Sequence, residues 1–102
     1  MLIYNTTYHL VDEVEKNFLI WIKESVIPTN LNSGLMKNPR MCKLLSHQEA
    51  GNSSYTLQWE VDNTAVLHEW HMKLGAKQHE EMGQIFGDKV ISLPTLMEEV
   101  DE

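Results

Sequence analysis

The sequence predicts an α+β fold in which four strands and two helices follow in the order βαββαβ. Three observations predict it. Segments rich in β-branched and aromatic residues fall near 2–10, 40–47, 53–61 and 89–97. Two longer stretches with helical apolar spacing lie after the first and the third of them. The chain has 102 residues, 42 % of them hydrophobic, enough for one core and too few for two, so residues 1–102 read as a single domain.

The first strand, residues 2–10, is marked by Ile3, Tyr4, Thr6, Thr7 and Tyr8, with no helix cap ahead of them. Asp12 followed three residues later by Glu15 is a capping-box pattern. Val14, Phe18, Trp21, Ile22 and Val26 then place one apolar stripe on the first helix. Pro28 lacks an N–H and restricts Ile27. Either the helix stops at Ile27, or Pro28 opens a short second piece that Gly34 ends; the second reading is preferred. Leu35 and Met36, adjacent apolar residues beyond Gly34, suggest a covered loop at a subunit contact.

Strands at 40–47 and 53–61 are joined by a turn over Gln48–Asn52, where Gly51 and Asn52 tolerate positive φ. In the second, Tyr55, Leu57, Trp59 and Val61 alternate with Thr56, Gln58 and Glu60, the pattern of a half-buried antiparallel strand. Asp62, Asn63 and Thr64 are competent caps for a second helix that runs to Phe86, with Gly87 as its stop. Leu67, His71, Leu74, Gln78, Met82 and Ile85 fall within an arc of about 80° on an ideal helix, with Trp70 and Phe86 on its flanks. Gly75 and Gly83 mark a bend or a close backbone approach. Pro94 removes a ladder donor from the last strand, residues 89–97, and assigns it to an edge or a bulge.

This order is the split βαβ, ferredoxin-like arrangement: an antiparallel sheet with two helices on one face. Its usual strand order, 4-1-3-2, puts the last strand at an edge, in agreement with Pro94. The stretches IYNTTYH (Ile3 to His9), IP with SGL (Ile27, Pro28, Ser33 to Leu35), LLSH (Leu44 to His47), LHEW (Leu67 to Trp70) and TLMEEV (Thr95 to Val100) resemble a small bacterial domain-of-unknown-function family numbered 4286. The resemblance spans nearly the whole chain. It implies a ferredoxin-like α+β fold paired as a dimeric α/β barrel. The family carries no established reaction, so the resemblance transfers no catalytic residue.

A net charge of −7 has the wrong sign for neutralising phosphates, which excludes nucleic acid and anionic membrane surfaces as expected partners. The tail, residues 98–102, holds Glu98, Glu99, Asp101 and Glu102 and reads as a solvated, solubilising segment. Met1 to Leu10 lacks a basic n-region and a long apolar run, and no window approaches the roughly 20 apolar residues of a membrane span. A cytoplasmic setting is expected. Cys42, the one cysteine, sits in an apolar run and reads as a small buried hydrophobe.

Chemistry is expected on the sheet face that carries no helices. Asn5, Thr7 and His9 share one face of the first strand, and Thr56, Gln58 and Glu60 one face of the third. If these are the open face, a second copy of the chain closes it into a cavity. There His9 and Glu60 are the candidate base and orienting partner, and Asn5, Thr7 and Gln58 the candidate ligand-binding residues. The opposite orientation of the first strand puts Tyr4, Thr6 and Tyr8 there instead. His71, inside the apolar stripe, is a core or interface histidine before it is a catalytic one.

His68 and His71 are spaced i, i+3, but His79 lies about 12 Å further along the helix axis. Zinc–nitrogen bonds of about 2.1 Å exclude a site shared by these three. A third ligand would have to come from His9 or His47, and no CxxC, HExxH or calcium loop is present. No metal or cofactor is expected. Ser46 and His47, adjacent on a strand, point to opposite faces and form no nucleophile pair. Trp21, Trp59 and Trp70 read as core.

Two functions fit. One is a homodimeric binding or regulatory module with a small-molecule cavity. The other is a small cofactor-light enzyme, oxygenase- or isomerase-like, that uses His9, Glu60 and His71 for proton transfer.

Overall fold

The computed structural model describes residues 1–46 and 48–101; His47, a candidate third metal ligand, and Glu102 of the acidic tail lie outside them. The β-branched and aromatic opening segment forms β1 (Leu2–Val11). It is central in the sheet, antiparallel to both β3 (Asn52–Val61) and β4 (Val90–Glu98). β2 (Lys37–Lys43) joins the far side of β3, so the order is β2-β3-β1-β4, as expected for the ferredoxin-like arrangement. Pro94 lies on edge strand β4, where its missing N–H costs no ladder bond on the outer side.

The first helix does not use its capping box. It opens with a 3-10 turn, Asp12–Val14, without a side-chain cap. Asp12 instead accepts from Ser53 Oγ at 2.7 Å, and Glu15 accepts from Tyr55 Oη at 2.6 Å and Lys43 Nζ at 3.1 Å. Both carboxylates are drawn to β2 and β3, and their pull on the strands replaces the local cap.

After α1 (Glu15–Trp21) comes a π turn, Ile22–Val26, in which Ile27 N–H reaches back to the Ile22 carbonyl. α2 (Ile27–Ser33) then begins with Pro28 in its first turn and ends on Gly34 at φ 72°. The preferred reading of Pro28 holds, but the two pieces are one continuous helical run. The extra residue of the π turn lies directly before the proline, whose ring would otherwise crowd the carbonyl four residues back.

β2 begins earlier than expected and ends at Lys43 rather than residue 47. Asn38 has φ 50° and the ladder slips between Lys37 and Arg40, a bulge that lets pairing start upstream of Pro39. In the connection to β3, Gly51 supplies the positive φ, 84°, while Asn52 is already in the strand.

The second helical run starts on Asn63, whose side chain accepts from Val66 N–H at 2.9 Å. It comprises α3 (Thr64–Trp70), a second π turn over His71–Gly75, and α4 (Ala76–Phe86), which stops at Gly87. The π turn shifts the helical phase, and this corrects the predicted stripe. Trp70, Gly75, Met82 and Phe86 are the buried residues, Ile85 is 53 % exposed, and His71 is exposed rather than a core histidine. Gly75 is a close approach, since a Cβ there would stand 2.7 Å from the Trp70 ring; Gly83 has nothing within 4 Å.

The core lies between the sheet and the helices, built on Phe18, Ile22, Leu57, Trp59 and Val61. Phe18 is its hub, with ring centroids 5.0 Å from Tyr8, 6.1 Å from Tyr55 and 6.1 Å from Phe86. All three tryptophans are in it. So is Met36, 1 % exposed, with Leu35 packed alongside; the chain's own core covers that loop, and no subunit contact is needed for it. Cys42 is exposed, contrary to expectation, because pairing with Thr56 places it on the open face while Met41 turns to the core. Among the described residues no helix is long and apolar enough to cross a membrane.

Candidate functional site

The ladder register settles which face is open. Asn5 pairs with Gln58, Thr7 with Thr56 and His9 with Ser54, whereas Tyr4 pairs with the buried Trp59 and Tyr8 with Tyr55. Residues directly opposite share a face. Asn5, Thr7, His9, Thr56, Gln58 and Glu60 are therefore together on the open side, and the opposite orientation is excluded: Tyr4, Thr6 and Tyr8 face the helices. The rows extend to Arg40 and Cys42 on β2, and to Met97, Thr95, Leu93 and Ile91 on β4. The open face is thus polar in the middle, with an exposed apolar stripe on β4: Ile91 at 55 %, Leu93 at 52 % and Met97 at 37 %.

The predicted site residues do not converge within one chain. Glu60 stands opposite Ile3, six residues from His9 along β1, which is about 20 Å at strand rise. His9 Nδ1 is instead 2.6 Å from Ser54 Oγ, at the other end of the face, and Glu60 accepts from Asn38 Nδ2. His71 is on the helix side. Base and orienting partner are therefore not paired in the protomer, because a shared face says nothing about separation along the strand. Asn5, Thr7 and Gln58 do cluster. Asn5 is 9 % exposed, its Nδ2 donates to Thr7 Oγ1 at 3.3 Å, and its Oδ1 is buried without a partner.

A concavity lies on the helix side, between α3–α4 and the β1–β4 edge, with a volume of about 270 Å³. Tyr4, Thr6 and Tyr8 of β1 line it, with Trp21 and Trp70 from the two helical runs. Tyr4 and Trp70 lie 5.5 Å apart, tilted by 58°. His71, His79 and Ser92 also border it, with Ser92 Oγ 3.5 Å from His79 Nδ1. An adjoining apolar groove of about 360 Å³ shares Tyr4, Trp70 and His71 and continues past Leu67 and Leu96.

Hydrogen bonds fix its walls, that between Trp70 and Asn30 fully buried. Asn30, 1 % exposed, accepts at one oxygen from Trp70 Nε1 at 2.9 Å and Gln78 Nε2 at 2.7 Å. Trp21 Nε1 donates to Glu81 at 2.6 Å. Burial pushes the Tyr8 phenol up to about 12 and raises Tyr4 as well, while the Thr6 hydroxyl beside each works in the opposite direction. Both phenols are therefore neutral O–H donors at physiological pH. The signal for this cavity was present in the sequence as the Tyr4–Thr6–Tyr8 alternation. Its depth was not, because it depends on the π turn and on Gly75.

Solved structures with this fold are numerous. The chain is similar to a putative antibiotic biosynthesis monooxygenase from Deinococcus radiodurans (TM-score 0.75, 14 % identity, 100 % of this chain and 95 % of that one). It is also similar to HapK from Hahella chejuensis (0.72, 10 %, 100 % and 95 %). A third is a dimeric ferredoxin-like protein from an uncultured marine organism (0.70, 11 %, 99 % and 96 %). At these identities the likeness establishes the fold. No curated protein matches the chain. Residues 1–100 match the family model for the domain of unknown function DUF4286, and the chain belongs to that family.

Proposed function

We propose that the protein is a homodimeric small-molecule-binding module whose two sheet faces divide the work. The helix-side cavity takes the ligand, and a second copy covers the open face. The observation that carries the reading is the cavity itself: an aromatic-walled space whose two indoles are held in place by hydrogen bonds before any ligand arrives. The subunit contact is supported by the exposed Ile91, Leu93 and Met97 stripe, by the unpartnered Asn5 Oδ1 and by the dimeric ferredoxin-like relatives. Asn5, Thr7 and Gln58 then serve the contact between copies rather than a ligand. A net charge of −7 argues against nucleic-acid partners, and an exposed free cysteine suits a reducing, cytoplasmic setting.

The test is a thermal-shift survey of one- and two-ring compounds on the wild type and on Ser92→Trp, which fills the border of the cavity. Compounds that raise the wild-type midpoint and leave the variant unmoved support the reading; equal shifts in both proteins refute it. An enzymatic role is the second reading, favoured by His71, which borders both the cavity and the adjoining groove. His71→Ala would then abolish turnover of a bound compound without changing its affinity, whereas in a binding module there is no turnover to lose.

A further inference from the structure

We infer that the helix-side cavity is selective for a neutral, planar ring compound bearing a carbonyl oxygen. The inference rests on the cavity being the ligand site and adds the chemistry of what it holds.

Three features of the lining point the same way. First, no Asp, Glu, Lys or Arg is among the residues that form it. The nearest carboxylate tied to its wall, Glu81, is taken up by the Trp21 indole. A charged ligand would leave water for a space lined by rings and neutral hydroxyls, with only His71 and His79 at its border to answer the charge, which is costly. Second, the large surfaces are rings. Tyr4 and Trp70 are tilted by 58° at 5.5 Å, with Trp21 also in the lining, so a flat molecule gains contact on more than one side.

Third, the polar groups at the floor of the cavity are neutral hydroxyls carried by β1. Trp70 Nε1 and Gln78 Nε2 are both spent on Asn30, and Trp21 Nε1 on Glu81. The Tyr4, Thr6 and Tyr8 hydroxyls form a short row along this floor, Thr6 hydrogen-bonding with both phenols. Phenols that stay protonated offer O–H groups to an acceptor, and a carbonyl in the plane of a ring system supplies one without adding charge. His71 and His79 are the titratable groups at the border, and His79 is already directed at Ser92.

The experiment titrates three probes of similar shape into the full chain: 1-tetralone, 1-naphthoate and 1-naphthylmethylammonium. The indole N–H resonances of Trp21 and Trp70 report on the cavity, and that of Trp59, which does not line it, serves as reference. The expected result is that 1-tetralone shifts Trp21 and Trp70 but not Trp59, with an affinity at least about tenfold above either ion. Tyr8→Phe and Thr6→Val, which keep volume and remove donors, should each weaken it several-fold. If either ion binds as tightly as the ketone, the ligand class is wrong and the site stands. If no probe moves Trp21 or Trp70, or Trp59 moves instead, the cavity reading itself falls. Unchanged ketone affinity in both donor variants would overturn the role given to the β1 hydroxyls.

Discussion

Asn30 is the residue on which the cavity wall depends most. Its single oxygen accepts from two donors on the other helical run, so Asn30→Leu strands an indole N–H and an amide at once. Each buried unsatisfied donor costs about 1–3 kcal/mol, and the variant should lose a few kcal/mol in chemical denaturation. It should also release the Trp70 fluorescence. Gly75→Ala tests the same wall from the opposite direction. The added Cβ would sit 2.7 Å from the Trp70 ring, and overpacking of this kind costs about 1–3 kcal/mol. A fully stable Gly75→Ala protein would show that the ring is not held where it is described.

Tyr8 gives a pH prediction. Its phenol is pushed up to about 12 by burial, so the unfolded chain loses that proton first as pH rises. The contribution to stability is complete below about pH 10, the unfolded value, and is lost between there and about 12. Tyr8→Phe should flatten the alkaline limb of the stability curve, measured by denaturation at successive pH values.

At the scale of elements, the strands and their order were legible because period-2 alternation and Pro94 constrain them independently. The helix boundaries at Gly34, Asn63 and Gly87 were legible for the same kind of reason, since each is a local conformational demand. Asn63→Ala should remove the cap bond to Val66 and cost about 1 kcal/mol, read as a shift in the denaturation midpoint without a change in slope.

The two π turns were not legible. Nothing in a 3.6-residue count announces an inserted residue. That is why the predicted stripe ran through His71 and Ile85, and why His71 reads in the sequence as a core or interface histidine instead of one at the border of a cavity. Likewise, Asp12 and Glu15 looked like a capping box, but Ser53, Tyr55 and Lys43 compete for them from strands distant in sequence.

For the whole molecule, alternation narrowed the open face to two orientations of β1, and the register decides for the one that carries Asn5, Thr7 and His9. His9 and Glu60 lie on one side of the sheet but about 20 Å apart along it, a distance invisible until the register is known. What the face does present is a polar centre beside an exposed apolar stripe. A surface of that kind on a small four-stranded sheet is better explained by self-association than by water.

Sedimentation equilibrium of the wild type alongside Thr7→Arg, a substitution at the middle of that face, tests this division of labour most directly. Twice the chain mass is expected for the wild type and a folded protein of single-chain mass for the variant. A wild-type mass of one chain, or a Thr7→Arg protein that still sediments as a dimer, would contradict it.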